Sequence, residues 1–84
     1  MEYIIDCAAI GSKEDFHRIL AQTLRFPAWY GNNLDALYDC LGDISVKTHL
    51  ILQNWDHIAS FAAGFRAVFN DAEDENPHLF ITMQ

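Results

Sequence analysis

The chain has 84 residues, 51% hydrophobic and 13% aromatic, which suits one core spanning residues 1–84 as a single domain and leaves no room for a second. Its formal charge of −7, from 12 acidic and 5 basic residues, argues against direct binding to nucleic acid. No run approaches the roughly 18 apolar residues of a membrane span, and the start Met1-Glu2-Tyr3-Ile4-Ile5-Asp6 has neither the basic region nor the apolar stretch of a signal peptide, so a soluble, cytoplasmic monomer is expected.

Tyr3-Ile4-Ile5 is a short apolar run ending before Gly11, which suits a buried strand. Ser12, with Asp15 three residues later, is a capping-box signal, and Phe16, Ile19, Leu20 and Leu24 then repeat at helical spacing on one face. Pro27 disfavours helix in the residue before it, so this helix should end around Arg25. After the stretch Phe26-Pro27-Ala28-Trp29-Tyr30-Gly31, Asn32 or Asn33 can cap a second helix of about two turns. Its buried stripe would be Leu34, Leu37 and Leu41, and Gly42 would close it.

His49-Leu50-Ile51-Leu52 reads as a central strand, and Asn54 is placed to cap the next helix. Ile58, Phe61, Ala62, Phe65, Val68, Phe69 and Ala72 keep the 3.6-residue period for about four turns, with Gly64 a candidate break between two shorter helices. Asn76-Pro77 punctuates the chain before a last strand, Leu79-Phe80-Ile81 with Thr82 and Met83. Strands joined through helices favour a parallel sheet, so the expected class is α/β: three parallel strands packed against three to four helices. Cys7 and Cys40 have no Cys-x-x-Cys spacing and no basic neighbour, and are expected to be free, buried thiols.

The charge is unevenly distributed. Residues 1–25 and 47–66 hold five acids and all five bases, which cancel. The excess lies in residues 26–46, with Asp35, Asp39 and Asp43, and in residues 67–84, with Asp71, Glu73, Asp74 and Glu75. A field of one sign steers a partner of the other sign, so a basic partner is expected, although an acidic run such as 73–75 is by default solvated surface.

Asp35 and Asp39 are four residues apart and stack on the helix face opposite the leucine stripe, where they repel by roughly 0.2–0.5 kcal/mol. Asp35 suits the positive end of the helix dipole, whereas Asp39 sits in the last turn, where a cation is favoured. A carboxylate placed against both its neighbour and the dipole points to function. Beside it Trp29 and Tyr30 occupy a loop, and aromatics next to fixed carboxylates are the composition of a protein-binding hot spot.

The motif Phe26-Pro27-x-Trp29-Tyr30-Gly31-x-Asn33-Leu34-Asp35-Ala36-Leu37-x-Asp39-Cys40-Leu41 resembles the central motif of the barstar family, inhibitors of the ribonuclease barnase. Weaker similarity extends over nearly the whole chain, through Leu50-Ile51-Leu52, Trp55, Val68-Phe69 and Phe80-Ile81-Thr82. The resemblance implies a non-enzymatic inhibitor that binds a small basic ribonuclease at about one to one, covering its active site with the second helix and the preceding loop. By that analogy Trp29, Gly31, Asn33, Asp35, Tyr38 and Asp39 face the nuclease. Asp39 would occupy a substrate-phosphate position, Asp35 would pair with a second cation, and Trp29 would stack on the catalytic centre. Asp71 matches a peripheral acidic contact, and Tyr30 is expected to be structural. Trp29 stands where the family pattern has tyrosine, Tyr38 where it has tryptophan, and Gly42 where it has a hydroxyl residue, so the cognate nuclease is open to differing from barnase.

Three other readings compete. Asp35 and Asp39 as a hydrolytic acid/base pair would need a concave, desolvated pocket, and a short amphipathic helix shows them on a convex face. His17, His49, His57 and His78 fit no metal-ligand spacing and read as ordinary surface or helix-end histidines, so no metal and no cofactor is expected. An immunity or adaptor module against a basic partner that is not a ribonuclease shares every feature above and is the serious rival.

Overall fold

A computed structural model describes all 84 residues. In chain order the elements are β1 (Glu2–Asp6), a 3₁₀ turn (Cys7–Ala9), α1 (Lys13–Leu24), α2 (Leu34–Gly42), β2 (Thr48–Gln53), a second 3₁₀ turn (Trp55–Ile58), α3 (Ala62–Glu75) and β3 (Leu79–Met83). The strands form one parallel sheet in the order β1-β2-β3, with Ile4 opposite Ile51 and Ile51 opposite Thr82. The class is α/β with a three-stranded parallel sheet, as expected. Three segments are α-helices, and the helical stretch after β2 begins as a separate 3₁₀ turn.

Side chains on successive strand residues point to opposite faces. Ile5, Leu50, Leu52 and Leu79 are buried, together with Phe16 and Leu20 of α1, Leu37 and Leu41 of α2, and Phe65 and Phe69 of α3, in one core cluster. The Phe16 ring lies 4.6 Å from Phe65 and 6.1 Å from Phe69, and its edge meets Trp55 at 6.3 Å. The alternate face of the sheet carries no helix. Ile4 is therefore 57% exposed and Phe80 46%, and the expectation of a buried first strand is corrected at Ile4, while Ile5 is buried: an apolar triplet cannot by itself report how many faces are covered.

Local signals set the helix starts. Ser12 Oγ accepts from the Asp15 N–H at 3.1 Å, and the Asp15 carboxylate accepts from the Gly11 N–H at 3.2 Å. Asn33 Oδ1 accepts from the Ala36 N–H at 2.8 Å, which fixes the start of α2 at Asn33 rather than Asn32. Other expectations are corrected. Gly42 is the last residue of α2 and not a left-handed cap, and the left-handed residues are Arg25, Asn32 and Asn54. Asn54 does not cap through its side chain, which donates to Asp6 Oδ1 at 2.8 Å and ties the ends of β1 and β2 together. Gly64 does not break α3. It sits in the first turn of α3 with the Leu34 side chain of α2 against it, an added Cβ lying 2.9 Å from the mobile Leu34 Cδ1 methyl.

Candidate functional site

Arg25, in the left-handed region at φ 57°, ends α1, and the next turn is closed by the Tyr30 N–H donating to the Pro27 carbonyl at 3.0 Å. The turn sorts the aromatics. Tyr30 points inward, packing on Phe26 at 4.9 Å, with its hydroxyl 2.5 Å from His17 Nδ1. Trp29 points outward and is 58% exposed, a large apolar ring left in water without a covering neighbour. Asn33 uses its carbonyl as the α2 cap and its amide to donate to the Gly31 carbonyl at 3.4 Å, so one side chain links the end of the turn to the helix start.

His17 corrects the reading of all four histidines as surface or helix-end residues, since it is only 4% exposed. Burial holds its imidazole below the usual histidine range, the Glu14 charge opposing and the Lys13 charge assisting, while burial pushes the Tyr30 phenol up. Both groups are therefore neutral and support the loop from beneath. Stability becomes pH-dependent through His17, because the unfolded chain takes up this proton near 6.5 and the folded chain resists it. Stability is full above that pH and is expected to fall as pH drops through the window below it. Thermal melts of wild type and His17→Gln between about pH 5 and 7.5 check this; equal pH slopes for the two proteins would remove His17 from the explanation.

α2 presents Asp35 and Asp39 to solvent, opposite buried Ala36, Leu37, Cys40 and Leu41. α3 packs against it, with Asp71 and Glu75 exposed one helical turn apart near its C-terminus. Tyr38 is half-buried between the two helices and donates its hydroxyl hydrogen bond to Glu75 Oε2. That bond, then burial, then the charges of Glu75, Asp71 and Asp39, raise the Tyr38 pKa. The two acidic segments of the sequence thus converge on one surface. None of Asp35, Asp39, Asp71 or Glu75 makes an ion pair; the pairs present are Arg18 with Asp15 and His49 with Glu2.

The seven residues picked from the sequence fall into three groups. Asp39 and Asp71 meet around Tyr38, Asp35 lies one turn earlier on the same helix, and Trp29, Gly31 and Asn33 belong to the turn that leads into it. Glu75 was missed and had a signal, its i, i+4 spacing from Asp71 on one helix face. A cleft of ≈ 560 Å³ opens beside Asp39, lined by Tyr38, Asp43, Glu75, Asn76 and His78 among others. At its floor buried Asn76 donates to the carbonyls of Leu41 and Ile44 at 2.9 and 3.0 Å.

This surface has the chemistry of a receptor for cations rather than of a reaction centre. Its carboxylates are exposed, and no nucleophile with a neighbouring base stands among them. Cys7 and Cys40 are buried free thiols, Cys7 pushed up to about 11 by burial and by Asp6, and Cys40 raised by burial and by Asp43 and Asp39. No three His, Cys, Asp or Glu side chains converge in a way that would hold a metal ion, and no helix is long and apolar enough to cross a membrane.

The family model described as Barstar (barnase inhibitor) matches residues 1–83. The chain belongs to the barstar family. Its members are inhibitors and not enzymes, and a ribonuclease is the family's partner in general terms. The chain is also similar to a Bacillus subtilis (strain 168) protein named "Putative ribonuclease inhibitor YrdF", with 36% identity over 77 residues, covering 86% of this chain and 85% of that protein.

Proposed function

We propose that this chain inhibits a small basic ribonuclease by binding it at about one to one and covering its active site with α2 and the turn before it. The observation that carries this reading is the gathering of Asp39, Asp71 and Glu75 around Tyr38 with no ion pair among them, Asp35 lying one turn earlier on the same helix and an exposed Trp29 in the turn that leads into it. A ribonuclease binds the phosphates of RNA with cations, and carboxylates fixed on a helix offer those cations an alternative partner. Asp39 takes a phosphate position, Asp35 pairs with a second cation, Trp29 stacks over the catalytic centre, and Gly31, Asn33 and Tyr38 complete the contact. Asp71 and Glu75 act at its edge. The free inhibitor is a cytoplasmic monomer in this reading.

The test is RNA cleavage by purified barnase titrated with this chain. Inhibition complete near one equivalent is expected, with an association rate that falls steeply as ionic strength rises from about 0.02 to 0.5 M. An on-rate indifferent to salt would contradict steering by the acidic face. No inhibition of barnase, with tight binding instead to a basic protein lacking nuclease activity, would favour the adaptor reading.

A further inference from the structure

Glu75 shares the surroundings of Tyr38 with two like charges, Asp39 and Asp71, and none of the three is ion-paired. Left to itself its carboxylate would swing into solvent away from them. The Tyr38 hydroxyl holds it at the seam between α2 and α3, on a ring that is itself half-buried. We propose that Tyr38 is a positioning residue for inhibition, which fixes the Glu75 carboxylate within the cation-binding face before the nuclease arrives. This role rests on the inhibitor reading above and deepens it.

Ordering a glutamate costs rotamer entropy, and a side chain already ordered in the free protein does not incur that cost on binding. The phenol has a single proton and directs it to Glu75. Towards a partner this corner therefore presents only acceptors: the remaining lone pairs of Tyr38 and Glu75, with Asp39 and Asp71 alongside. Such a corner suits a multi-donor cation, a guanidinium above all, whose planar fork satisfies several acceptors at once. Asp71 makes no such bond to Tyr38, and it serves as the internal comparison.

The experiment is a double-mutant cycle on the complex with barnase, reading dissociation rate by stopped flow, with circular dichroism melts confirming that each variant is folded. Tyr38→Phe keeps the ring and removes only the hydroxyl. In the wild-type background it is expected to speed dissociation about fivefold, the worth of one net hydrogen bond, and less than about twofold in the Glu75→Ala background. In an Asp71→Ala background the fivefold effect should persist. The salt dependence of association should not change with Tyr38→Phe, since no charge is lost. The same factor in the Glu75→Ala background as in wild type, or no change in dissociation rate at all, would overturn the positioning role while leaving inhibition by the face intact. Failure of the wild-type chain to inhibit barnase would instead defeat the inhibitor reading and this role with it.

Discussion

Asp39→Ala is expected to be the most damaging single charge deletion for inhibition, weakening the complex by about 3–5 kcal/mol, while leaving the free protein as stable as wild type or slightly more so. Both halves rest on where Asp39 sits. In the free chain it is exposed in the last turn of α2, which holds no basic residue, stacked above Asp35 and near Asp71 and Glu75. No ion pair is lost when it is removed, and repulsion is relieved. In the complex it would be desolvated among the nuclease's cations, and deleting it leaves those charges without a partner. Asp35→Ala should cost less, because the helix N-terminus already stabilises that carboxylate. Asp56→Ala should cost almost nothing, since Asp56 lies on the 3₁₀ turn after β2, outside both acidic segments. Inhibition constants and melting temperatures of the three variants decide the matter: equal inhibition by Asp39→Ala and wild type, or equal damage from Asp56→Ala, would place the binding face elsewhere.

The order of elements was legible because each rests on local physics. Ser12 with Asp15 and the period of Phe16 to Leu24 act over a few residues and stand in the fold as read, and of the two asparagines before Leu34 that could cap α2 it is Asn33 that does. Sequence reasoning fails where a residue's role depends on a distant neighbour. Gly64 looks like a helix break in one dimension, yet it lies inside the first turn of α3 with the Leu34 side chain of α2 against it. Asn54 looks like a cap, but its amide finds Asp6 across the β1–β2 pair. Nothing along the chain says that only one face of the sheet is covered, and that is why Ile4 and Phe80 are exposed.

The candidate face was legible in the same partial way. Asp35 and Asp39 announce themselves by their unfavourable placement on one short helix, a local fact. The joining of Asp71 and Glu75 to them is tertiary, produced by the packing of α3 on α2, and composition showed only two separate acidic segments. His17 carries no sequence mark of burial. Its environment is set by Tyr30 and Phe65, residues 13 and 48 positions away.

Asn76→Ala is expected to destabilise the fold by about 2–4 kcal/mol, the largest loss for any polar side chain outside the binding face. The last turn of a helix leaves carbonyls without intrahelical partners; at the end of α2 the Asp43 N–H serves those of Asp39 and Cys40, while Leu41 receives only a long backbone bond, 3.4 Å from the Ile44 N–H, and there is neither a left-handed glycine nor a basic side chain to add to it. Asn76 supplies the donors from the end of α3, to Leu41 and Ile44, and its Oδ1 accepts from the His78 N–H at 3.0 Å. Alanine removes all three bonds and opens a void between the helices. Asn76→Asp keeps the size and the acceptor but turns a carboxylate towards two carbonyl oxygens, which favours its protonated form. Its folded pKa is then raised above the unfolded value near 3.9, so its stability relative to wild type should fall as pH rises above about 4, and at pH 7 it should be worse than alanine. Urea unfolding of the three proteins at pH 4.5 and 7 measures this. An Asn76→Ala unfolding free energy within about 0.5 kcal/mol of wild type, or an Asn76→Asp variant that gains stability relative to wild type as pH rises, would mean that water serves those carbonyls equally well and that the clamp between α2 and α3 lies elsewhere.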